Sequence, residues 1–277
     1  MRFVRTTLKA VVCIGVFAIL GARAEVQRIY IGTYTSGTSE GIYVADFDSS
    51  SGAIGNLRVA VKTETPSFLA KHPTLPVIYA VGEMVKEPDG DGGTVSAFRM
   101  EESGGLAPIN RASSVGAGPC HVAVAPSGKH VAVANYSGGS TALLPIDDTG
   151  ALGKASVFIQ HEGSSVNAER QEGPHAHSVT FDASGKYLVV ADLGIDKLAI
   201  YRYDVGTGAL KAIDTPAVLK PGAGPRHTKF HPKLPVIYSV NELDSTVTAF
   251  AFDVASGATK ELQTITTLPS EFVGMNT

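Results

Sequence analysis

The sequence predicts an all-β fold, a β-propeller of four-stranded blades, and three observations lead there. Four stretches share one grammar: residues 66–81, 119–135, 177–192 and 226–241. Each is a short β-rich run, a turn of the Pro-Ser-Gly-Lys or His-Pro-x-x-Pro kind, and a second β-rich run, which together read as a hairpin. Anchored on His72, Ala125, Asp182 and His231, successive copies lie 53, 57 and 49 residues apart, a period that marks repeat architectures. Each hairpin is then followed by two more strand-like runs, among them Thr94 to Met100, Leu198 to Asp204 and Thr246 to Asp253. Four strands per copy make a propeller blade.

The chain opens with Arg2, Arg5 and Lys9, then an uncharged apolar run from Ala10 to Ala22, then Ala22-Arg23-Ala24. This is the layout of a secretory signal. The apolar run falls short of the ~20 residues that a membrane-spanning helix needs, so residues 1–24 are expected to be cleaved after Ala24, leaving a propeller domain over residues 25–277 in the periplasm or outside the cell. Loss of four basic and no acidic residues moves the formal charge from -3 to -7. A chain so acidic is a poor partner for nucleic acid, and no other apolar run is long enough to hold it to a membrane. Cys13 leaves with the signal and Cys120 remains alone, so stability must come from packing and not from an internal disulfide. The absence of Trp and of a Gly-His…Trp-Asp signature argues against the WD40 form of the architecture.

After the signal, Arg28 to Thr35 reads as the second strand of a blade, Gly41 to Asp48 as the third and Leu57 to Thr63 as the fourth. The inner strand of that blade must be supplied from elsewhere. Four complete blades follow, the last finishing near Leu268, and residues 270–277 read as the loop leading into a sixth hairpin. The expected consequence is unpaired edges on the first and fifth blades, with low solubility or a broad melt.

The chemistry is expected at one rim. In an antiparallel hairpin the start of strand one and the end of strand two lie at the same edge, and in a propeller those edges share one face around the channel. One row of side chains there is Cys120 and His121, His175 and His177, Arg226 and His227. The other is Asn135 and Tyr136, Asp192, then Asn241 and Glu242. Singly, such residues are turn caps or structural ion pairs; converging on one mouth, they form a candidate site. His72 and His231, each followed by Pro in the hairpin turn, lie at the far face and read as structural. His130 and His161 stay undecided. Residues 163–173, with Arg170, Gln171 and Glu172, overhang the active face as a candidate lid. No metal or cofactor is expected, because His175 and His177 would need a third ligand from another blade.

These residues resemble the seven-bladed propeller lactonases that include the bacterial 6-phosphogluconolactonases, with the fungal carboxy-muconate cyclases as relatives. The resemblance runs from about Arg28 to Thr277. It is carried by Ile31-Gly32-Thr33-Tyr34-Thr35, Gly173-Pro174-His175-Ala176-His177-Ser178, Gly224-Pro225-Arg226-His227 and Asn241-Glu242. It implies a chain cut off after five of seven blades, without the arginine that follows the family's sixth-blade hairpin. It also implies that His177, Arg226 and Glu242 are catalytic; the converging hairpin ends put His121, Asn135, Tyr136, His175, Asp192, His227 and Asn241 around the substrate. Opening a lactone needs a base for the attacking water, an acid for the leaving ring oxygen and a cation for negative charge. Glu242 or His177 would be the base and the other the acid, and Arg226 would hold a carboxylate or phosphate. The partner is then a small-molecule lactone, phosphorylated or plain, met by a monomer without a cofactor. Two other readings are open: a non-catalytic exported propeller that binds a ligand or envelope partner, and an isomerase of the muconate-cyclase kind.

Overall fold

The computed structural model describes residues 26–277 except 85, 88, 89, 275 and 277. The expected export segment and its cleavage point lie outside the described residues. The described chain is almost entirely antiparallel sheet, with one 3-10 turn at Leu193–Ile195. No described helix is long and apolar enough to cross a membrane.

The strands form five meander sheets in chain order and one short ribbon. The first sheet contains Val26–Ile31, Gly41–Asp48 and Ile54–Lys62. The second contains Leu69–Lys71, Val77–Gly82, Thr94–Met100 and Leu106–Ser113. The third contains Pro119–Val124, His130–Asn135, Ser140–Pro145 and Val157–Gln160. The fourth runs Ala176–Phe181, Tyr187–Asp192, Lys197–Tyr203 and Leu210–Ala212, with Ala217–Val218 added beside the third of these. The fifth is Pro225–Phe230, Val236–Asn241, Thr246–Phe252 and Thr259–Thr266. The first strands of the second to fifth sheets pack side by side, which makes them the wall of a central channel.

Successive sheets pack face to face, and the burial pattern records it. Every residue of Val77–Gly82, His130–Asn135 and Tyr187–Asp192 is buried. Apart from His130, Asn135 and Asp192 at their ends, these strands are built largely from Val, Ala, Ile, Leu and Tyr because each has a neighbouring sheet on both sides. Val131, Val133 and Leu144 meet Tyr79, Val81 and Val95 of the second sheet. The opposite face of the third sheet sends Ala132, Ala134 and Leu143 against Leu188, Val190 and Tyr201 of the fourth. Burying a Val or Leu side chain fully contributes ~1.5–3 kcal/mol, so these layers dominate the stability. Val236–Asn241 of the fifth sheet alternates instead. Its Tyr238 and Val240 are 38% and 42% exposed, since only one of its faces meets another described sheet.

The first sheet departs from expectation at one end. The strand expected to reach Thr35 stops at Ile31. At Gly32 the backbone approaches the second sheet so closely that a Cβ would sit 2.1 Å from Pro66 O. Residues 32–35 thereby leave the ladder and turn toward the channel.

The far-face histidines act as turn anchors. His72 Nδ1 accepts the N–H groups of Thr74 at 3.1 Å and Leu75 at 2.9 Å, which fixes the proton on Nε2, 3.0 Å from Gly128 O of the next sheet. Gly128 has φ +72, and a Cβ there would strike the His72 ring at 2.6 Å. His231 repeats the local half of this pattern, accepting from Lys233 at 3.0 Å and Leu234 at 2.9 Å. His72 is 5% exposed and tied to a second sheet. His72→Ala should therefore cost ~1–3 kcal/mol and His231→Ala less than ~1 kcal/mol, read as the shift in urea midpoint. Equal losses would show that the contact to Gly128 contributes nothing.

Candidate functional site

Four sheets close their first hairpin at the same end with the same backbone bond. Glu83 N–H donates to Thr65 O at 3.1 Å, Tyr136 to Gly118 at 2.8 Å, Leu193 to His175 at 3.0 Å and Glu242 to Gly224 at 2.8 Å. Inside three of these closures the ladder slips by one residue, between Pro119 and His121, Ala176 and Ser178, and Pro225 and His227. The residues left over are Cys120, His177 and Arg226. A bulge frees its extra residue from the ladder and re-aims the side chain, here into a common cleft of about 490 Å³.

Arg226 and Arg170 dominate one side of the cleft. Arg226 Nη1 pairs with Glu242 Oε2, and Arg170 Nη2 donates to Glu242 Oε1 at 2.7 Å and to the Tyr136 hydroxyl at 3.2 Å. Glu242 lies behind Arg226, on the wall of an adjoining pocket of about 450 Å³. Burial alone would raise its pKa, but the hydrogen bonds and charges of the two guanidiniums outweigh this and hold it below the usual carboxylate range. The same contacts, to Tyr136 first and then Glu242, raise the pKa of Arg170.

The floor is aromatic. Tyr136 stacks on His175 with ring centroids 4.6 Å apart and meets the edge of His177 at 5.2 Å. His227 lies 5.4 Å from His177 and 5.2 Å from His121, which stacks on Phe68 at 3.9 Å. Burial, reinforced by the Arg226 charge, lowers the His177 pKa to about 4. Burial, then the neighbouring His227 and His177, lowers that of His121 to about 3. His227 is lowered too, by burial and then by Arg226. At neutral pH these three rings are uncharged. Cys120 Sγ sits 3.8 Å from His177 Nδ1 and 3.3 Å from its carbonyl oxygen. Burial raises its pKa, so it is a thiol and not a nucleophilic thiolate.

The opposite wall carries a second carboxylate. Glu83 Oε2 accepts from the Tyr34 hydroxyl at 2.9 Å and from Ser67 Oγ. Burial, followed by the contacts with Glu83, raises the Tyr34 pKa.

Of the residues expected here, the structure gathers His121, Tyr136, His175, His177, Arg226, His227 and Glu242. Asn135 and Asp192 are a correction, because their side chains are consumed inside the blades, while Asn241 is bonded within its sheet and borders the adjoining pocket with Glu242. Asn135 and Asp192 are 0% exposed. Asn135 donates to Ser114 O at 3.2 Å and Ser140 Oγ at 3.1 Å. Asp192 accepts the N–H groups of His175 at 2.7 Å and Gly194 at 3.0 Å and holds His161 Nδ1 at 2.6 Å. Asn241 donates to Thr246 and Thr248. The last residue of the second strand is bonded within the blades, whereas Glu83 and Tyr136, each directly after such a strand, line the cleft. His161, undecided from sequence, is a partner of Asp192 and of the Tyr201 hydroxyl, 3.1 Å from its Nε2.

Residues 163–173 are tied to the blades at Ser165 and Gln171. Gln171 is 0% exposed, donates to Leu193 O at 2.8 Å and accepts Asn167 N–H at 3.2 Å. Asp196 accepts Ser165 Oγ at 2.5 Å and the N–H groups of Gly222 and Gly224, both at 2.7 Å. Asp196 sits at φ 52, a conformation unfavourable to a non-glycine residue. Its bonds tie the segment bearing Arg170 to the turn that precedes Arg226, so both guanidiniums reach Glu242 from braced backbone.

Glu83, Tyr34 and Ser67 were not expected in the site, and Arg170 was expected only on the overhanging segment 163–173. Glu83 was within reach of the repeat: Val77-Ile78-Tyr79-Ala80-Val81-Gly82-Glu83 aligns with Val236-Ile237-Tyr238-Ser239-Val240-Asn241-Glu242. Ser67 likewise follows Pro66 as Arg226 follows Pro225. Among the described residues no group of three or more His, Cys, Asp or Glu is disposed to hold a metal ion. His175 stacks on the Tyr136 ring, whereas His177 meets it at 73°.

Comparison with known proteins agrees with this geometry. Residues 28–277 match the family described as Lactonase, 7-bladed beta-propeller. The 6-phosphogluconolactonase of Bacillus subtilis is 35% identical over 244 residues, which is 88% of this chain and 67% of that protein. The 6-phosphogluconolactonase of Formosa agariphila is 33% identical over 232 residues, 80% of this chain and 64% of that one. Among solved structures, the periplasmic gluconolactonase of Pseudomonas aeruginosa superposes with a TM-score of 0.83 at 33% identity, covering 91% of this chain and 71% of its own. The chain thus spans about two thirds of the length of these relatives. With sheet order, cleft and sequence in agreement, the chain belongs to the seven-bladed β-propeller lactonase family.

Proposed function

We propose that the chain hydrolyses a sugar lactone in this cleft, with His177 as base and then acid, Arg226 and Arg170 as electrostatic clamp, and Glu242 as the residue that orients the clamp. The observation that carries this reading is the adjacent placement of an uncharged, buried imidazole and a guanidinium, each freed by a bulge into one cleft. Sequence leaves the base open between His177 and Glu242. The position of Glu242 behind Arg226, with both oxygens occupied by guanidiniums, favours His177.

His177 takes a proton from water as the water oxygen bonds to the lactone carbonyl carbon. Negative charge moves to the carbonyl oxygen, where the guanidiniums stabilise it. The bond from that carbon to the ring oxygen then breaks, and the imidazolium returns its proton to the leaving oxygen. Glu242 touches Arg226 and Arg170 and acts through them. The N-terminal signal pattern and the likeness to a periplasmic gluconolactonase support action outside the cytoplasm.

His177→Ala should lower kcat/KM for gluconolactone by ~10²- to 10⁴-fold, the contribution of a placed acid-base group. Glu242→Gln should also lower it, chiefly in kcat, with far-UV circular dichroism unchanged in both. Proton release at constant pH measures each. Full activity in His177→Ala would leave a ligand-binding propeller as the reading of the site.

The pH profile has a definite sign. The base must be unprotonated, and its pKa in the free enzyme is depressed to about 4. kcat/KM should therefore rise with pH through that value and be level by neutrality. A rise centred near ~6.5, the value of an unperturbed imidazole, would show that the base is not the buried His177.

A further inference from the structure

The cleft contains the same carboxylate motif twice, in two electrostatic forms. Glu83 and Glu242 occupy equivalent positions, each directly after the buried second strand of its hairpin and each donating its N–H to the matching backbone carbonyl. Ser67 and Arg226 occupy the equivalent position at the start of the first strand. In the fifth sheet the pair is ionic, Arg226 with Glu242, completed by Arg170. In the second sheet it is a carboxylate with two neutral hydroxyls, Ser67 and Tyr34. The exchange of guanidinium for hydroxyl leaves Glu83 as a carboxylate that hydroxyl donors surround, on the wall of the same cleft.

We propose that Glu83, held by Tyr34 and Ser67, is the subsite for the ring hydroxyls of the substrate and selects an uncharged sugar lactone over a phosphorylated one. The proposal rests on the lactonase reading above and adds its substrate class. A carboxylate accepts hydrogen bonds from sugar hydroxyls, and charge-assisted bonds of this kind are roughly twice as strong as neutral ones. Tyr34 and Ser67 supply hydroxyls that can accept as well as donate, which suits a polyol.

The charge balance points the same way. Both guanidiniums already bind Glu242 behind them, and Glu83 adds a second carboxylate on the opposite wall of the cleft. The imidazoles of His177, His121 and His227 are uncharged at neutral pH because burial depresses them. A phosphate dianion would thus enter a cleft with no net positive charge and meet Glu83. With the reacting carbonyl at Arg226 and His177, the remainder of a six-carbon lactone extends across the cleft, toward the second sheet.

The test compares gluconolactone with 6-phosphogluconolactone on the wild type, Glu83→Gln and Tyr34→Phe. Glu83→Gln keeps the shape and the hydroxyl contacts and removes the charge. The wild type should prefer the plain lactone by more than about tenfold in kcat/KM, the value of one lost charged hydrogen bond. In Glu83→Gln that preference should shrink at least about fivefold, through a higher KM for the plain lactone and a lower one for the phosphorylated lactone. Tyr34→Phe should raise KM for both. An unchanged ratio in Glu83→Gln, or a wild-type preference for the phosphorylated lactone, overturns the proposal.

Calorimetry with gluconate and 6-phosphogluconate separates this outcome from failure of the lactonase reading. If neither lactone is hydrolysed, the catalytic reading fails. Gluconate binding that weakens in Glu83→Gln then still supports the subsite, and binding indifferent to Glu83 overturns it.

Discussion

The site depends on one backbone constraint, the bond that closes the first hairpin of the second to fifth sheets at the channel end. Where that bond is made across a bulge, the ladder contains one residue too many, and the surplus side chain has no place in the sheet. Pro119 and Pro225 contribute directly, since a proline has no N–H to offer the ladder at that point. Cys120, His177 and Arg226 are the surplus residues, and the channel is the space open to them. The functional groups are therefore fixed by rigid strand ends, which hold geometry better than free loops.

A second layer of polar contacts braces this arrangement. Asp192 takes the N–H groups of His175 and Gly194, so it sets the backbone on both sides of the His177 bulge. Asp196 joins the segment bearing Arg170 to the turn before Arg226. Neither aspartate touches the cleft. Buried carboxylates are costly unless fully hydrogen-bonded, and both are saturated by donors from segments that must meet for the cleft to exist.

Repetition explains how one cleft combines unlike chemistries. Each blade presents the same two positions, the first-strand start and the residue after the second strand. The occupants are Ser67 with Glu83, Cys120 with Tyr136, His177 with Leu193, and Arg226 with Glu242. The backbone is nearly constant, so substitution at a position changes the chemistry without disturbing the frame. The low pKa values follow from the same crowding. Rings that pack against each other and against Arg226 cannot also be hydrated, and they stay neutral.

The sequence by itself determined the repeat, the hairpins and the rim on which polar groups collect, because strand periodicity and turn residues are local properties of the chain. It also led to His121, Tyr136, His175, His177, Arg226, His227 and Glu242, since hairpin topology alone decides which ends share a face. It could not separate Asn135, Asp192 and Asn241 from the residues that follow them. One step along a strand reverses the side-chain direction, and only the packed register shows which residue faces the blade and which the channel. Arg170 reaches Glu242 from 72 residues away, through a segment held by Gln171 and Asp196, and no local pattern encodes a contact of that kind. The roles divide for the same reason: Glu242 and Glu83 read alike in the repeat, and the tertiary structure gives one two guanidiniums and the other two hydroxyls.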